Sequence, residues 1–562
     1  MLRFSPRPNR AELVRWREWG EDAFREAEEQ DKLIVIVLTA FWCGFCQLMD
    51  ETSFSQDDVI TLLNALFIPI RVEESQRPDV DLRYNQNGWP TLSFFTPKGV
   101  HLASVNYTSP EEFIGVLARL VDYYQENHQA LSKVSASRPT QELPAKDVPL
   151  TRALVEEVAG IMEGLADHEF GGYGHDLKLL HTNANEFALY LYETTGERQQ
   201  LDHVAHTLIS LRESKTYDEN HGGFFRYSSR RDWQEPHPEK LLGDQAALLS
   251  NYLDTFLLTG EQRYRATAES LVGYMEHSLI AEGTRPCFAG CQDYLDGETD
   301  RHFVLDELIY CDANAVAAGV SLKAWWLLGH RQCRDRAEGI LDFLWSKLRS
   351  PDGDVYHYWR GEAFVPGLLN DAIALGDAFL DAYSMLGDQK YLDRARELAR
   401  HVIERHSSTE GGFFDIDHRG PGMLAVPLIL MPENAGAVLF LTRLSDLSAE
   451  PAYRDHARSA LERIPNSHRA YGAFAGVFGH AVGRLLTHPV TVDLAGRPGS
   501  EDTLSLLRAA RVQLHHGNTI IRLRESEHTA AAQLTLSQSG SSCGPFDRAG
   551  DIAPGVLGKL DV

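Results

Sequence analysis

The sequence predicts a small α/β domain, then an all-α toroid of six helical hairpins, then a small C-terminal α/β appendage. Three observations carry that reading. A continuous β-branched run, Leu33 to Leu38, lies among shorter strand and helix patterns in the first 130 residues. A glycine-aromatic turn then recurs near positions 172, 223, 353, 412 and 472, with a looser Pro286-Cys287-Phe288 among them, at intervals of 51 to 65 residues. From about Pro489 strand-like alternation returns around a single helix. The expected boundaries are 1–130, a linker at 131–149, the toroid at 150–488, and 489–562 with a loose tail from Ser537.

Taken in order, Leu33 to Leu38 reads as a strand buried on both faces. Asp57 to Leu66 has helical spacing, and Phe67 to Val72 reads as a second strand. Thr91 to Phe95 is a third, ended by the turn Pro97-Lys98-Gly99, and Glu111 to Tyr124 closes the domain as an amphipathic helix. Ser132 to Pro149 is rich in Ser, Pro, Lys and Glu, the composition of a linker. Between successive glycine-aromatic turns lie two amphipathic segments, such as Leu241 to Leu258 and Ala266 to Ile280. A period of that size is one helical hairpin with its loops. Six such units can close into a ring, an (α/α)6 toroid; an open solenoid is the alternative. Val490 to Leu494, Glu501 to Arg511, Thr519 to Leu523 and Ala530 to Leu536 then read as strand, helix, strand, strand.

Composition narrows the function classes. The 562 residues hold 54 Lys plus Arg against 80 Asp plus Glu, a formal charge of −26, which argues against nucleic acid or an anionic membrane as main partner. The longest near-apolar stretch, Leu33 to Cys46, is 14 residues, too short to span a bilayer. Seven cysteines, an odd number, make no disulfide framework. The expectation is a cytoplasmic protein with most thiols reduced.

The clearest chemistry is Trp42-Cys43-Gly44-Phe45-Cys46, directly after the buried strand and before helix-forming Gln47-Leu48-Met49. A C-x-x-C at a strand-to-helix junction puts the first sulfur at a helix N-terminus, where the dipole and free N–H groups favour thiolate. Cys43 is then the nucleophile, and Cys46, one turn along, resolves the mixed disulfide. Gly44 and Phe45 fill the motif, Trp42 shields it, and Pro90, at the start of the third strand, positions the peptide opposite. No acidic residue interrupts the strand before Trp42, so proton transfer to the resolving thiol falls to Asp50, Glu51 or water. A structural zinc site is the competing reading; it needs a second ligand pair, and no other C-x-x-C exists. No metal or cofactor is therefore expected beyond the dithiol and an external electron donor. The expected partner is a disulfide-containing protein or small molecule.

Strand, Trp-Cys-Gly-x-Cys, helix and Pro-Thr entering the next strand resemble the thioredoxin fold, which implies a cis bond before Pro90. More of the chain resembles the YyaL-type, spermatogenesis-associated thioredoxin-domain family. The residues that carry this are Trp16, Trp19, the Cys43–Cys46 pair with Met49, Ser53-Phe54, Arg77-Pro78-Asp79-Val80-Asp81, Gly88-Trp89-Pro90, Gly222-Gly223-Phe224 and Pro236-His237-Pro238-Glu239-Lys240. The resemblance implies a thioredoxin-like domain fused to an (α/α)6 barrel and covers roughly residues 10 to 490. Related barrels include sugar epimerases and glycoside hydrolases, an association of fold alone.

The repeat loops supply a second set of candidates for a toroid pocket: His181, His237, Glu239, Asp244, Asp293 and Asp371, with His175, Trp233, Tyr294, His302, Asp306, Tyr310, His357, Trp359, Asn370 and Glu433 nearby in sequence. Carboxylates and histidines can act as acid and base, and aromatics stack on sugars, so carbohydrate is the expected toroid ligand. Glu239, Asp244 and Asp371 have the bland alternative of helix capping. Trp325 and Trp326 read as core. Three functions follow: a thiol–disulfide oxidoreductase with the toroid as substrate or partner module; a sugar epimerase or glycoside hydrolase with an accessory thioredoxin module; or a non-catalytic scaffold.

Overall fold

The computed structural model describes residues 2–134, 149–280, 286–294, 303–464, 467–526, 531–553 and 555–559. Residues 135–148 of the predicted linker, and His302, lie outside the described residues. The chain forms two compact units, Met1–Glu142 with Ile416–Leu428, and Leu143–Asp415 with Ile429–Val562.

The first unit runs α1 (Glu21–Gln30), β1 (Leu33–Thr39), α2 (Gly44–Glu51), α3 (Asp57–Leu66), β2 (Phe67–Glu73), α4 (Pro78–Tyr84), β3 (Thr91–Phe95), β4 (His101–Val105) and α5 (Pro110–Leu131). Its sheet has the order β2-β1-β3-β4, with β1 parallel to β2 and antiparallel to β3. All seven residues of β1 are buried, which is why its sequence is apolar without alternation. Phe54, Phe67, Phe94 and Phe113 fill the core on one face. Pro110 at the first turn and the Ser109–Glu112 capping box fix the start of α5. Residues 416–428, which the sequence reading placed in the toroid, belong to this unit: the Met423 N–H donates to Tyr84 Oη at 2.7 Å, and Arg83 Nη2 donates to the Val426 carbonyl at 3.0 Å. Partners more than 330 positions apart leave no local trace in sequence.

The second unit holds twelve toroid helices: α6 (Arg152–Leu165), α7 (Thr182–Thr195), α8 (Arg198–Glu213), α9 (Leu242–Thr259), α10 (Gln262–Ser278), α11 (Cys311–Leu328), α12 (Arg331–Lys347), α13 (Leu369–Leu386), α14 (Gln389–His406), α15 (Met431–Ser448), α16 (Ala452–Leu461) and α17 (Gly476–Leu486). The six inner helices, α7, α9, α11, α13, α15 and α17, each pack on the next, and α17 returns to α7. The ring is closed. An inner helix has neighbours on three sides, so α11 is buried almost all round, Trp325 and Trp326 included. Left-handed glycines at 196, 260, 329 and 387 end four inner helices and turn the chain straight into the outer ones. The opposite connections are long, and all lie at the N-terminal ends of the inner helices. They carry the short strands β5 (Lys178–Leu179), β6 (Tyr227–Ser228), β7 (Lys240–Leu241), β8 (Cys291–Tyr294), β9 (Phe303–Asp306), β10 (Ile309–Tyr310), β11 (Tyr356–Trp359) and β12 (Ala363–Pro366).

The recurrent turn has a physical basis that the sequence reading did not supply. Five of the six turns close with one β-bridge, at Tyr173, Phe224, Phe288, Val355 and Phe413. In three of them an amide side chain near the start of the next inner helix takes both backbone groups of the aromatic residue. Gln245 binds Phe224 N and O at 2.8 and 2.7 Å, Asn314 binds Phe288 at 2.8 and 3.1 Å, and Asn434 binds Phe413 at 2.8 and 2.9 Å. In the first two turns a fully buried lysine adds an ion pair, Lys178 with Asp167 at 2.7 Å and Lys240 with Asp218 at 2.8 Å. The sixth repeat departs: Tyr471-Gly472-Ala473-Phe474 enters a 3-10 helix at Gly472, and Phe474 is 49% exposed.

The C-terminal segment is β13 (Val490–Gly496), α18 (Glu501–Gln513), β14 (Thr519–Glu525), β15 (Gln533–Gln538) and β16 (Ser541–Phe546). Its sheet order, β14-β13-β15-β16, with β13 parallel to β14 and antiparallel to β15, repeats the arrangement of the first sheet. The tail predicted as loose from Ser537 is instead ordered into β16. Ser539 and Gly540, both at positive φ, make the two-residue hairpin turn that starts it. The Gly499 N–H donates to the Trp326 carbonyl at 2.8 Å, and a Cβ at Gly499 would stand 2.8 Å from Gly329, so this module seats closely on the toroid. Among the described residues no helix is long and apolar enough to cross a membrane.

Replacing Asn434 by Leu keeps the volume and leaves the buried Phe413 N–H and carbonyl unpaired. The toroid should lose about 2–4 kcal/mol, read as a lower urea midpoint, whereas Asn434→Gln should recover part of it.

Candidate functional site

β1 ends at Thr39, and the chain reaches α2 three residues beyond Ala40. Cys43 is the N-cap of α2, and its sulfur accepts the Cys46 N–H at 3.1 Å. Cys43 and Cys46 are joined as a disulfide and are 7% and 3% exposed. Gly44 is the first helical residue; a side chain there would meet open space, so the outer face of the motif is unobstructed. Phe45 presents its ring at the surface, 59% exposed and 5.8 Å from the Tyr107 ring. The Trp89–Pro90 bond is cis, as the resemblance implied. Trp42 meets Trp89 edge-to-face at 5.2 Å, which brings the segment before Pro90 beside the cysteine loop. Trp89 Nε1 donates to Asp81 at 2.8 Å; burial of that carboxyl raises it above its usual range. Asn106 Nδ2 donates to the Pro90 carbonyl at 3.0 Å.

The two acids expected to move protons are both committed. Arg71 donates to each oxygen of Asp50 at 2.8 Å, and the Ser5 N–H adds a third bond at 2.9 Å, all within a buried pair. Glu51 accepts from Ser5 Oγ at 2.6 Å. A third carboxylate, missed in the sequence reading, lies below the loop. Glu73 ends β2 opposite Thr39 and accepts the Phe41 N–H at 3.1 Å and the Gln76 N–H at 3.0 Å. It fixes the backbone two residues before Cys43 from the neighbouring strand. The only sequence signal was an acid at the end of an otherwise apolar strand.

The toroid candidates gather where the inner helices begin, because each of α9, α11, α13 and α15 carries an acid in its first turn: Asp244, Asp312, Asp371 and Glu433. They form separate groups. Glu239 and Asp244 lie near Arg226, and His237 lies near Glu239. Glu239, 1% exposed, lies 3.7 Å from both Arg226 and His237 and has no hydrogen bond to either oxygen among the described residues. Burial pushes its carboxyl up to about 7, and that of Asp244 up to about 6. Neither caps α9, so the capping alternative fails for both. His237 stacks on Tyr227 at 4.2 Å. Asp293 is buried on β8, the strand that pairs with β7. Its Oδ1 accepts the Tyr294 N–H at 2.8 Å, and Tyr294 Oη donates to Asp218 of the Lys240 pair at 2.6 Å.

Asp371 belongs to a different group. It does not cap its own helix; it accepts from His357 Nδ1 at 3.0 Å and from the Asp312 N–H at 3.2 Å, at the start of the neighbouring α11. Burial raises its carboxyl, and His357 opposes that rise. Asp312, His357 and Asp371 offer ligand atoms within 4.8 Å of one another, a set able to hold a divalent cation. His181 stands apart, edge-on to Phe474 at 4.7 Å, with its imidazole driven down to about 4 by burial.

The raised Glu239 carboxyl has a stability consequence whose sign follows from proton binding. A carboxyl raised in the folded state favours folding at low pH, and the advantage is lost as pH rises through its folded value. Glu239→Gln should therefore match the native chain near pH 5. It should be more stable by about 2 kcal/mol at pH 8, read from thermal midpoints at the two pH values.

Residues 7–143 match the family model described as Thioredox_DsbH, a protein of unknown function, DUF255. Spermatogenesis-associated protein 20 of Rattus norvegicus is 28% identical over 293 residues, covering 47% of this chain and 37% of that protein, and the Homo sapiens protein gives the same figures. The chain thus matches little more than a third of those relatives' length. Thioredoxin of Pongo abelii is 29% identical over 104 residues, 18% of this chain and 94% of that protein. Among solved structures, a D-mannose isomerase aligns at 12% identity and TM-score 0.49, covering 61% of this chain and 99% of its own. Cellobiose 2-epimerase from Bacillus thermoamylovorans B4167 aligns at 13% and 0.47, covering 55% and 86%. The chain is similar over about half its length to spermatogenesis-associated protein 20, and its residues 7–143, a thioredoxin-like region, match the family model.

Proposed function

We propose that the Cys43–Cys46 pair carries out thiol–disulfide exchange. The observation that supports this reading most is the placement of Cys43 as the N-cap of α2, with its sulfur already accepting the Cys46 N–H. Negative charge on that sulfur is stabilised by the same bond and by the helix dipole. In the reduced protein, the Cys43 thiolate attacks one sulfur of a substrate disulfide. The S–S bond breaks, the departing sulfur leaves as a thiolate and takes a proton from water, and a mixed disulfide remains. The Cys46 thiolate then attacks Cys43 Sγ, which releases the second substrate thiol and leaves the Cys43–Cys46 disulfide. An external dithiol donor returns two electrons and two protons. Exposed Phe45 beside Tyr107 gives an incoming polypeptide an apolar rest, so the substrate is a disulfide-containing protein or a smaller disulfide, in the cytoplasm.

A separate observation favours a second activity in the toroid. Both oxygens of Glu239 and Oδ2 of Asp244 have no hydrogen-bond partner among the described residues, and the two carboxyls are held at about 7 and about 6, where one can be protonated while the other is charged. That is the requirement for acid–base chemistry on a carbohydrate, as in an epimerase or glycoside hydrolase.

With dithiothreitol as donor, the chain should reduce insulin disulfides. Cys43→Ser should abolish the rate, and Cys46→Ser should accumulate a mixed disulfide visible on non-reducing gels. An unchanged rate in Cys43→Ser sinks the redox reading. Reducing-sugar and epimerisation assays, with Glu239→Gln and Asp244→Asn as controls, should show turnover that falls by about 100-fold in either variant. Blank results in both assays leave the scaffold reading.

A further inference from the structure

Past Thr39 the chain that carries the cysteines leaves the sheet. The β1–β2 ladder ends at the pair Thr39–Glu73, where the Glu74 N–H donates to the Thr39 carbonyl at 2.8 Å. The next four residues, Ala40 to Cys43, make a turn closed by the Cys43 N–H on the Ala40 carbonyl at 3.1 Å. Cys43 therefore stands where that turn puts it, and the turn lies beyond the strand pairing. Its hold comes through the backbone of Phe41. Glu73 Oε1 accepts the Phe41 N–H at 3.1 Å, and Gln47 Nε2, on α2, donates to the Phe41 carbonyl at 3.3 Å.

The second oxygen of the same carboxylate holds a different segment. Glu73 Oε2 accepts the Gln76 N–H at 3.0 Å, and the Glu73 carbonyl takes the Arg77 N–H at 3.0 Å, so this residue also shapes the turn from β2 into α4. From α4, Asp81 accepts Trp89 Nε1 at 2.8 Å. Trp89 precedes Pro90 and meets Trp42, the residue before Cys43, edge-to-face at 5.2 Å. The connections close on themselves: from Glu73 through Phe41 and Trp42 to Trp89, then through Asp81 and Gln76 back to Glu73. Glu73 is 8% exposed, and its two oxygens join the cysteine arm to the proline arm. A carboxylate can serve both because each of its oxygens accepts, whereas a side-chain amide accepts on one atom only.

We infer that Glu73 is a positioning residue for the exchange proposed at Cys43–Cys46, setting the Cys43 sulfur against the segment that enters Pro90. The inference rests on that redox reading and adds to it a residue from outside the motif. Attack on a disulfide runs in line with the bond that breaks, so the approach of Cys43 Sγ tolerates little displacement. Glu73 acts on that approach through the backbone of residues 41–43 on one side and through α4 on the other. The same hold supports the bond from the Cys46 N–H to Cys43 Sγ, so a displaced turn also weakens the contact that favours thiolate. What the site needs from residue 73 is reach and two acceptors; charge is secondary.

The test uses the full chain, reduced with dithiothreitol, and three variants that separate reach from charge. Glu73→Gln is uncharged, of native length, and keeps one acceptor. Glu73→Asp keeps the charge but ends about 1.5 Å short. Glu73→Leu has neither charge nor acceptor. In insulin reduction, Glu73→Gln should keep at least about a third of the native kcat/KM. Glu73→Asp and Glu73→Leu should each lose at least about tenfold, in kcat more than in KM. Alkylation of Cys43 by iodoacetamide, followed against pH, should have its midpoint at least about half a unit higher in Glu73→Leu than in the equally uncharged Glu73→Gln. A residue that only stabilised the fold would lower thermal midpoints and leave both readings native in protein that is still folded. The inference is overturned if Glu73→Leu matches Glu73→Gln in rate and in midpoint. It is also overturned if Glu73→Asp keeps the native rate while Glu73→Gln loses tenfold, which would make charge the property that matters. Should Glu73→Leu lose its native circular dichroism, the rates of Glu73→Asp and Glu73→Gln decide. A native chain that does not reduce insulin removes the redox reading instead, and the alkylation midpoints alone then decide whether Glu73 places Cys43.

Discussion

Each hairpin of the toroid has to bury a turn, and a buried turn is stable only if its peptide groups find partners. Gln245, Asn314 and Asn434 meet that requirement by taking an N–H and a carbonyl from the preceding turn with a single amide. Because the amide sits at the start of the following inner helix, the bond also fixes that helix in rotation and height. The acid beside it inherits its direction: Asp244 precedes Gln245, Glu433 precedes Asn434, and Asp312 lies two before Asn314. One residue is about 100° around a helix, so an amide held against the turn leaves the neighbouring carboxyl pointing elsewhere. The row of first-turn acids at the mouth is thus a consequence of how the turns are satisfied.

What could be read from sequence was what is decided locally. The β-branched run of β1, the whole of α3 and the whole of β3 follow from spacing within ten residues, and the structure places them where periodicity did. The cysteine motif was legible for the same reason, since its strand, cap and helix are contiguous. The glycine-aromatic period gave the hairpin count, although the third, fourth and sixth turns lack the paired glycines and the sixth takes a 3-10 path instead. Apart from the tail from Ser537, whose hairpin turn is local, the misreadings were long-range. Asp371 looked like the cap of α13 because its partners, His357 and the Asp312 N–H, lie 14 and 59 positions away. Asp50 looked free to move protons because Arg71 arrives from another strand. Residues 416–428 looked like toroid because nothing near them in sequence mentions Tyr84.

The buried charges sort into two kinds by the same accounting of partners. Lys178 and Lys240 are fully buried, yet each meets a carboxylate and a glycine carbonyl, so they behave as structural pins. Their carboxylate partners, Asp167 and Asp218, are held well below the usual range by those bonds, despite the opposing effect of burial. Glu239 and Asp244 meet no lysine in this way, and burial raises both. The contrast separates groups that complete the fold from groups that the fold leaves available for chemistry.

The two sheets of like topology show how narrow the step from structure to reactivity is. In the first, β1 leads to Cys43, which caps α2 by accepting the N–H of the residue three positions on, at 3.1 Å. In the second, β13 leads to Ser500, which caps α18 by accepting the Thr503 N–H at the same offset, at 3.4 Å. The backbone solution is common to both, and so is the favourable field at the helix start. Only the atom differs. A hydroxyl oxygen in that position completes the helix and stays protonated, whereas a sulfur can ionise near neutral pH and exchange its bond. The loop before Ser500 is pressed against Trp326 and Gly329 with no room for a second substrate. The fold supplies an anion-stabilising cap twice, and it is the side chain placed there, with the space left around it, that decides whether the cap is a hinge pin or a reagent.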